Sequence, residues 1–305
     1  MGMKQFLAMV ACVVVSFMQA SAGETPAASW ADNIKLSGSV RARYELYCLD
    51  NAERHRLRVQ GKLGVTATIN EQFKAGISLV GDGNATSTNT TLGSTNNFNT
   101  INAELDQLYL TYTPKQLGGD MDISFGKFQY PWWTPAKTEL VWDGDLKPEG
   151  VNLNIKRAVS NELLLFGNVG LFILQQNNPV TDDNMLGTAQ VGATYKFKVA
   201  EMPAAVKGAV GFYYFDGMDE VAGTAPENWH VVNVGLEANL TAENFVFGVV
   251  SDFALNVGAE NTAEDTGVLV GVTVKNGKWK GRLSYHISEE YAVHGDYASP
   301  DFTNS

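Results

Sequence analysis

Residues 121–156 read MDISFGKFQYPWWTPAKTELVWDGDLKPEGVNLNIK, and this stretch decides the fold. At each of its ends apolar side chains alternate with polar ones, and this period of two predicts a pair of half-buried strands. The middle is irregular, because Pro131, Pro135 and Pro148 lack a backbone N–H and interrupt regular structure. The stretch therefore predicts a β-hairpin whose tip is a long loop, residues 130–150, rich in tryptophan and carboxylate side chains.

The same alternation continues on both sides of this hairpin. Residues 34–47 (IKLSGSVRARYELY) place apolar side chains on one face and charged ones on the other, and residues 54–69 repeat the pattern. Short turns are predicted at residues 70–71, 158–161, 241–244 and 276–277, and they alternate with long polar loops at residues 81–102, 130–150, 175–187, 217–228 and 258–266. Short turns at one end and long loops at the other are typical of outer-membrane β-barrels.

A soluble β-sandwich is the alternative, since it also has alternating strands. Two observations favour the barrel. Aromatic side chains stand on the apolar face near the short turns, where a membrane interface would hold them: Phe73, Tyr112, Phe197, Phe245 and Trp279. Residues 41–47 and 54–62 also carry too many charges on one face for a packed interior without water. We therefore predict an all-β fold, a transmembrane antiparallel up-and-down β-barrel.

The domain organisation follows from the two ends of the chain. Lys4, an apolar run and a small-residue site at residues 20–22 indicate a signal peptide over residues 1–22, followed by a lead-in over residues 23–33 and the barrel over residues 34–305. About thirteen strands can be counted, whereas bacterial single-chain barrels have an even number. With no closing aromatic residue at the end, we expect a sequence truncated at its C-terminus, from a barrel of about sixteen strands.

Several functional classes are disfavoured by composition. The formal net charge of -11 argues against a nucleic-acid partner. Cys48 is the only cysteine after the leader, and the histidines lack the spacing of a metal site: His55, His230, His286 and His294. No nucleophile elbow is present. We expect no enzymatic activity, no cofactor and no metal.

Five motifs carry a family resemblance: RARYE at residues 41–45, RHRLR at 54–58, LDQLYLTY at 105–112, GKFQYP at 126–131 and LVWDGDLKPEG at 140–150. Together they resemble the bacterial putative-porin family of outer-membrane β-barrels. The resemblance implies passive diffusion of small hydrophilic solutes or ions through a water-filled barrel, surrounded by outer-membrane lipid in a Gram-negative cell. It names no particular solute and leaves a homotrimer open. The alternative is a non-conducting interaction barrel, an adhesin or a structural protein.

Basic side chains on the polar face are expected to line the lumen: Arg41, Arg43, Arg56, Arg58, Lys62, Lys280 and Arg282. The first four fall on two strands of one hairpin. Its loop predicts a register with Arg43 opposite Arg58 and Glu45 opposite Arg56, which gives a basic ladder that one carboxylate offsets only in part. The alternative is a set of structural ion pairs.

Loop 130–150 is predicted to be the third external loop and to fold into the barrel. Its acidic side chains are expected to face the basic ladder across the channel: Glu139, Asp143, Asp145 and Glu149. Trp132, Trp133 and Trp142 could either pack the loop against the wall or offer sugars a stacking surface. The alternative is a solvated external lid with no influence on flux.

Overall fold

The computed structural model describes residues 30–49, 52–81, 87–93, 102–176, 183–217, 228–260 and 263–299. These residues form short 3-10 helices at Trp30–Asn33, Lys115–Leu117 and Pro135–Lys137 and fourteen β-strands. The strands are β1 (Ile34–Leu49), β2 (Ala52–Thr68), β3 (Phe73–Gly81), β4 (Thr90–Thr91), β5 (Ala103–Tyr112), β6 (Met121–Lys127), β7 (Glu149–Ala158), β8 (Leu163–Gln175), β9 (Asn184–Val199), β10 (Met202–Asp216), β11 (His230–Ala242), β12 (Phe245–Asn256), β13 (Thr266–Asn276) and β14 (Trp279–Ser288). Among the described residues, no helix has the length and apolarity needed to cross a membrane.

The strand count agrees with the alternation in the sequence. All the described strands except β4 are at least seven residues long. Strand β4 has two residues, lies within the predicted loop 81–102, and pairs with β2. The long strands are thus those that the sequence predicts, and β4 is an addition from a loop. The predicted signal peptide, residues 1–22, lies outside the described residues.

The first of two units comprises residues 1–110. Strand β1 pairs with β2 and β2 pairs with β3, both antiparallel. The register of the first pair sets Arg43 opposite Arg58 and Glu45 opposite Arg56, as the sequence predicts. Because side chains alternate along a strand, these four lie on one face.

The second unit comprises residues 111–305. From β6 to β14 each strand pairs antiparallel with the next along the chain. Several of the turns are tight. Between β9 and β10, Ala200 and Glu201 have φ of 47° and 66°, which is the conformation that a two-residue hairpin turn needs at both central positions. The up-and-down meander is therefore built from local hairpins.

In both units, the apolar face of the strands is exposed. Val40 in the first unit is 89% exposed, and Val191 in the second is 68% exposed. The opposite face of the second unit instead buries amides such as Asn152, Gln190 and Asn233. A soluble sandwich would bury the apolar face, so this arrangement contradicts that alternative and is what lipid contact requires.

Two predicted loop boundaries are wrong. Loop 130–150 ends at Pro148, because Glu149 and Gly150 pair with Lys127 and Gly126 and extend the hairpin of β6 and β7. Glu149 is therefore a strand residue and does not belong to the loop. Its carboxylate lies 2.7 Å from the Lys127 ammonium group. The predicted loop 175–187 is also shorter, since β9 begins at Asn184.

Candidate functional site

Three arginines of the β1–β2 hairpin surround one carboxylate. The guanidinium group of Arg43 contacts Glu45, Arg56 Nη2 lies 2.7 Å from Glu45 Oε2, and Arg58 Nη1 lies 3.3 Å from Glu45 Oε1. They meet because alternate positions on the two paired strands face the same side. We call Arg41, Arg43, Arg56 and Arg58 the arginine cluster.

The segment at residues 87–93 folds back onto the arginine cluster. Arg58 Nη2 donates hydrogen bonds to Ser87 Oγ at 2.8 Å and to the Asn89 carbonyl oxygen at 2.9 Å. Arg41 Nη2 donates to Asn89 Oδ1 at 2.6 Å. Asn89 thus links the fourth arginine to the other three, and its short segment fixes the orientation of two guanidinium groups.

The remaining basic residues on the predicted list are placed differently. Lys62 lies on β2 opposite Ser39, and Lys280 lies exposed on β14. Arg282, also on β14, donates from Nη1 to the carbonyl oxygen of Lys137 at 3.2 Å. The structure therefore groups the four hairpin arginines, whereas Arg282 contacts the long loop of its own unit.

That loop, residues 130–148, lies on the polar face of its unit, and we call it the packed loop. Gln190 on β9 forms two hydrogen bonds of 2.8 Å with the backbone N–H and carbonyl oxygen of Trp133. Further along the loop, the Ala136 N–H donates to Glu237 Oε2 on β11 at 2.8 Å. The packed loop thus crosses several strands on the face opposite to the exposed apolar side chains.

The deepest contact is made on β12. Thr138 is fully buried and its hydroxyl donates to Asp252, whose other oxygen accepts from Asn233 Nδ2 at 2.7 Å. Nearby, Pro135 lies over Gly235, where an added Cβ would come within 2.9 Å of the proline ring. Glycine leaves room there for two side chains of the loop, since the Trp133 ring also comes within 3.3 Å of the same point.

The backbone of the packed loop is strained. Ala136, Lys137 and Glu139 have φ of 45°, 61° and 58°, a region that residues with a Cβ rarely occupy. Each such residue costs about 1 to 3 kcal/mol and persists only where the surroundings hold it. The contacts with β9, β11 and β12 supply that restraint, so the loop conformation is determined by the wall of its unit.

Tryptophan side chains anchor the first part of the loop. Trp132 and Trp142 are each 3% exposed and meet edge to face with ring centroids 5.2 Å apart. Trp132 also contacts Phe172 and Tyr213 edge to face. Trp133 is half-buried. Of the two roles that the sequence leaves open for these residues, packing against the wall is the one that Trp132 has, and Trp142 packs on Trp132 within the loop.

The loop carboxylates form hydrogen bonds within the loop. Glu139 Oε1 accepts from the Gly144 N–H at 3.1 Å, and Asp143 Oδ1 accepts from the Asp145 N–H at 2.6 Å. Asp145 is half-buried and adjoins Lys147, whose ammonium group donates to its carbonyl oxygen at 3.0 Å. Burial raises the pKa of Asp143 from 3.8 to about 7, and the charges of Glu139 and Asp145 add to the effect.

A second segment, residues 289–299, also contacts the packed loop. The Tyr297 ring stacks on Trp142 with centroids 5.4 Å apart, and its carbonyl oxygen accepts from the Asp143 N–H at 2.7 Å. His294 packs against Tyr297 and Trp229, and burial lowers its pKa. The sequence analysis did not find this segment, although its closely spaced aromatic residues were a usable signal.

Lys207 on β10 was also missed. Its ammonium group lies 4.7 Å from the Trp133 ring centroid and 4.6 Å from that of Phe166, which places the cation over two aromatic faces. A lysine on the polar face of a strand could have been noted from the alternation alone. Its aromatic partners could not, since they come from β8 and from the loop.

Comparison with known families decides the class of protein. The model of the putative porin family matches residues 48–269 of this sequence. The chain belongs to the putative porin family. As a member of this family, the chain is an outer-membrane channel protein. The expected fold class, a transmembrane antiparallel up-and-down β-barrel, is confirmed.

Solved structures resemble the porin chain in fold. The high-pH structure of Pseudomonas putida OprB has a TM-score of 0.52 at 12% identity, covering 85% of this chain and 75% of that one. The low-pH structure of the same protein has a TM-score of 0.51 at 13% identity, covering 84% and 78%. No curated protein matches the sequence. At such low identity, the likeness concerns the fold alone.

Proposed function

We propose that the chain forms a water-filled channel through which small hydrophilic solutes or ions diffuse passively, and that the packed loop narrows it. The observation that carries this proposal is the position of the loop. It is held on the polar face of its unit by Gln190, Glu237 and Asp252, opposite to the face suited to lipid. In a barrel, the polar face lines the lumen.

An external lid is the rival arrangement of the loop. A solvated lid would leave its backbone in contact with water and would need few contacts with the wall. Instead, Thr138 is fully buried, Leu140 is 1% exposed, and strained backbone is held at Ala136. These contacts support a fixed constriction over a lid that opens freely.

Planar-bilayer recording of the full chain tests the channel itself. We expect discrete ion-conducting steps. A folded, inserted protein that produces no conductance steps would contradict the proposal and would leave the non-conducting interaction barrel.

The homotrimer is part of the same proposal. Light scattering in detergent measures the mass of the assembly, and the mass of a single chain would contradict the trimer.

Replacement of residues 134–139 tests the constriction. Exchanging them for an equal number of glycine and serine residues, with glycine at position 138, keeps the chain length but removes the Pro135 ring over Gly235 and the Thr138 hydroxyl that donates to Asp252. We expect single-channel conductance to rise by about twofold as the loop leaves the lumen. A matched replacement of residues 115–119, which join β5 to β6 at a short turn, should leave the conductance unchanged. Equal conductance in all three proteins would favour the lid.

A further inference from the structure

The arginine cluster has more positive charge than its own carboxylate can neutralise. Arg43, Arg56 and Arg58 all contact Glu45, whose side chain is only 10% exposed. A guanidinium group stays protonated at every physiological pH. Among the described residues, Glu45 is the carboxylate that pairs with Arg43 and Arg58, and one carboxylate can compensate only one of these two guanidinium groups, so a positive charge remains.

In two of these guanidinium groups, the Nε–H donor forms no hydrogen bond with the described residues. The Nε–H groups of Arg43 and Arg58 are buried and have no hydrogen-bond partner among the described residues. The Arg58 side chain is 11% exposed. Buried donors without an acceptor are costly, and an anion that accepts from them would remove the cost.

The geometry of the cluster is held in place by its neighbours. Asn89 and Ser87 accept from Arg41 and Arg58, and Gln60 Nε2 donates to Thr88 Oγ1 at 2.5 Å, which ties the same segment to β2. Guanidinium groups fixed in this way need not lose side-chain freedom when a ligand arrives. Such preorganisation favours binding.

We propose that the arginine cluster is a binding site for a compact oxyanion, a carboxylate or a phosphate carried by the solute. The role of this site in transport rests on the channel proposed above, whereas the binding of an anion to the cluster does not depend on that channel. Glu45 acts as a built-in carboxylate that holds the arginines together and competes with the ligand. Planar arginine forks match carboxylate and phosphate oxygens in pairs. Glu45 does not use that geometry with Arg58, whose Nη1 alone donates to both carboxylate oxygens, at 3.3 and 3.4 Å.

Competition with Glu45 suits a site on a transport route. A channel site must attract its solute but also release it. When a solute oxyanion binds Arg43 and Arg58, Glu45 retains its contact with Arg56, in which Nη2 lies 2.7 Å from the carboxylate. When Glu45 then binds Arg43 and Arg58 again, it displaces the solute. The cluster is thus predicted to bind weakly and to exchange rapidly.

Equilibrium titration of the purified full chain in detergent tests binding. Inorganic phosphate and succinate are the probes, and succinamide, which is uncharged and similar in shape, is the control. We expect both anions to bind and succinamide not to bind. Binding of phosphate alone would identify the ligand group as a phosphate, and binding of succinate alone as a carboxylate. Equal binding of succinate and succinamide would overturn the proposal.

Four variants locate the site. Arg43→Gln and Arg58→Gln should each weaken anion binding by about tenfold, the effect of losing one charge-assisted pair. Lys35→Gln removes a charge from the same face of β1 but outside the cluster and should bind like the wild type. Glu45→Gln removes the competitor and should bind more tightly, a gain that misfolding cannot produce. Unchanged binding in all four would overturn the proposal.

Recording in bilayers separates this proposal from the proposed channel. If current flows and phosphate or succinate interrupts it in the wild type but less in Arg58→Gln, both stand. Suppose that current flows, that anions affect the wild type and Arg58→Gln alike, and that no anion binds in detergent. This result would overturn the oxyanion site and leave the proposed channel intact. Anion binding in detergent without any current in bilayers would overturn the channel and leave the oxyanion site intact.

Discussion

The arginine cluster and the packed loop represent two different ways of placing charge on a polar face. In the cluster, the charged groups sit on strands, contact one another, and come from residues close in sequence, as with Arg58 and Glu45. In the loop, carboxylates such as Asp143 are buried and bonded within the loop, while distant wall residues hold the backbone. The cluster presents charge to a ligand, whereas the packed loop mainly occupies space.

Charge reversal in the cluster should have the largest effect. Replacing Arg43 and Arg58 together by glutamate turns a cationic patch into an anionic one, and the preference for anions over cations should fall by a factor of roughly ten. The measurement is the reversal potential across a salt gradient. Reversal of Lys35 and Lys74 makes the same change in net charge away from the cluster, and equal shifts in both proteins would contradict a special role for the cluster.

Adding one methyl group under the loop should have the next largest effect. In Gly235→Ala, the new Cβ would lie 2.9 Å from the Pro135 ring, and the overpacking should cost about 1 to 3 kcal/mol of loop stability. Proteolysis of the loop in the folded protein reports the change. In Gly187→Ala the nearest atom is 3.8 Å away, so this variant should resist protease like the wild type.

How far the sequence predicts each region depends on the range of its contacts. The register that sets Arg43 opposite Arg58 is fixed by one short hairpin loop, and alternation then decides which side chains share a face. The bond between Thr138 and Asp252 joins residues 114 positions apart, and no local pattern encodes it. Glu149 was misplaced because a charged residue beside a glycine resembles a loop, although strand pairing continues through both.

Acidification should tighten the packed loop. The pKa of Asp143 is raised to about 7 in the folded protein, so between pH 4 and 7 the folded state binds more protons than the unfolded one. The loop is therefore held best at low pH, and stability is lost as the pH rises towards 7. Amide exchange of the loop, corrected for its intrinsic pH dependence, should be slower at pH 5.5 than at pH 8.

Asp143→Asn provides the control for this pH dependence. The neutral amide should keep loop protection high and nearly constant across the same range, because there is no charge left to bury. If the wild type and the variant respond to pH alike, another group controls the loop.

Loss of the stacking between Tyr297 and Trp142 should have the smallest effect. Tyr297→Ala removes the ring but keeps the backbone acceptor for Asp143, and should destabilise the loop by about 0.5 to 1.5 kcal/mol. Tyr297→Phe preserves the ring and should behave like the wild type. The fluorescence of the buried tryptophans during denaturation measures the loop stability of the two variants. An equal loss of stability in both would assign the effect to the hydroxyl group.

The most direct test of the constriction is the exclusion of neutral polymers of graded size from the conducting channel. Polymers that enter a pore lower its conductance, so the largest one that does so measures the narrowest width. With residues 134–139 replaced by glycine and serine, larger polymers should enter than in the wild type. An identical size limit in both proteins would contradict the proposal that the packed loop narrows the channel.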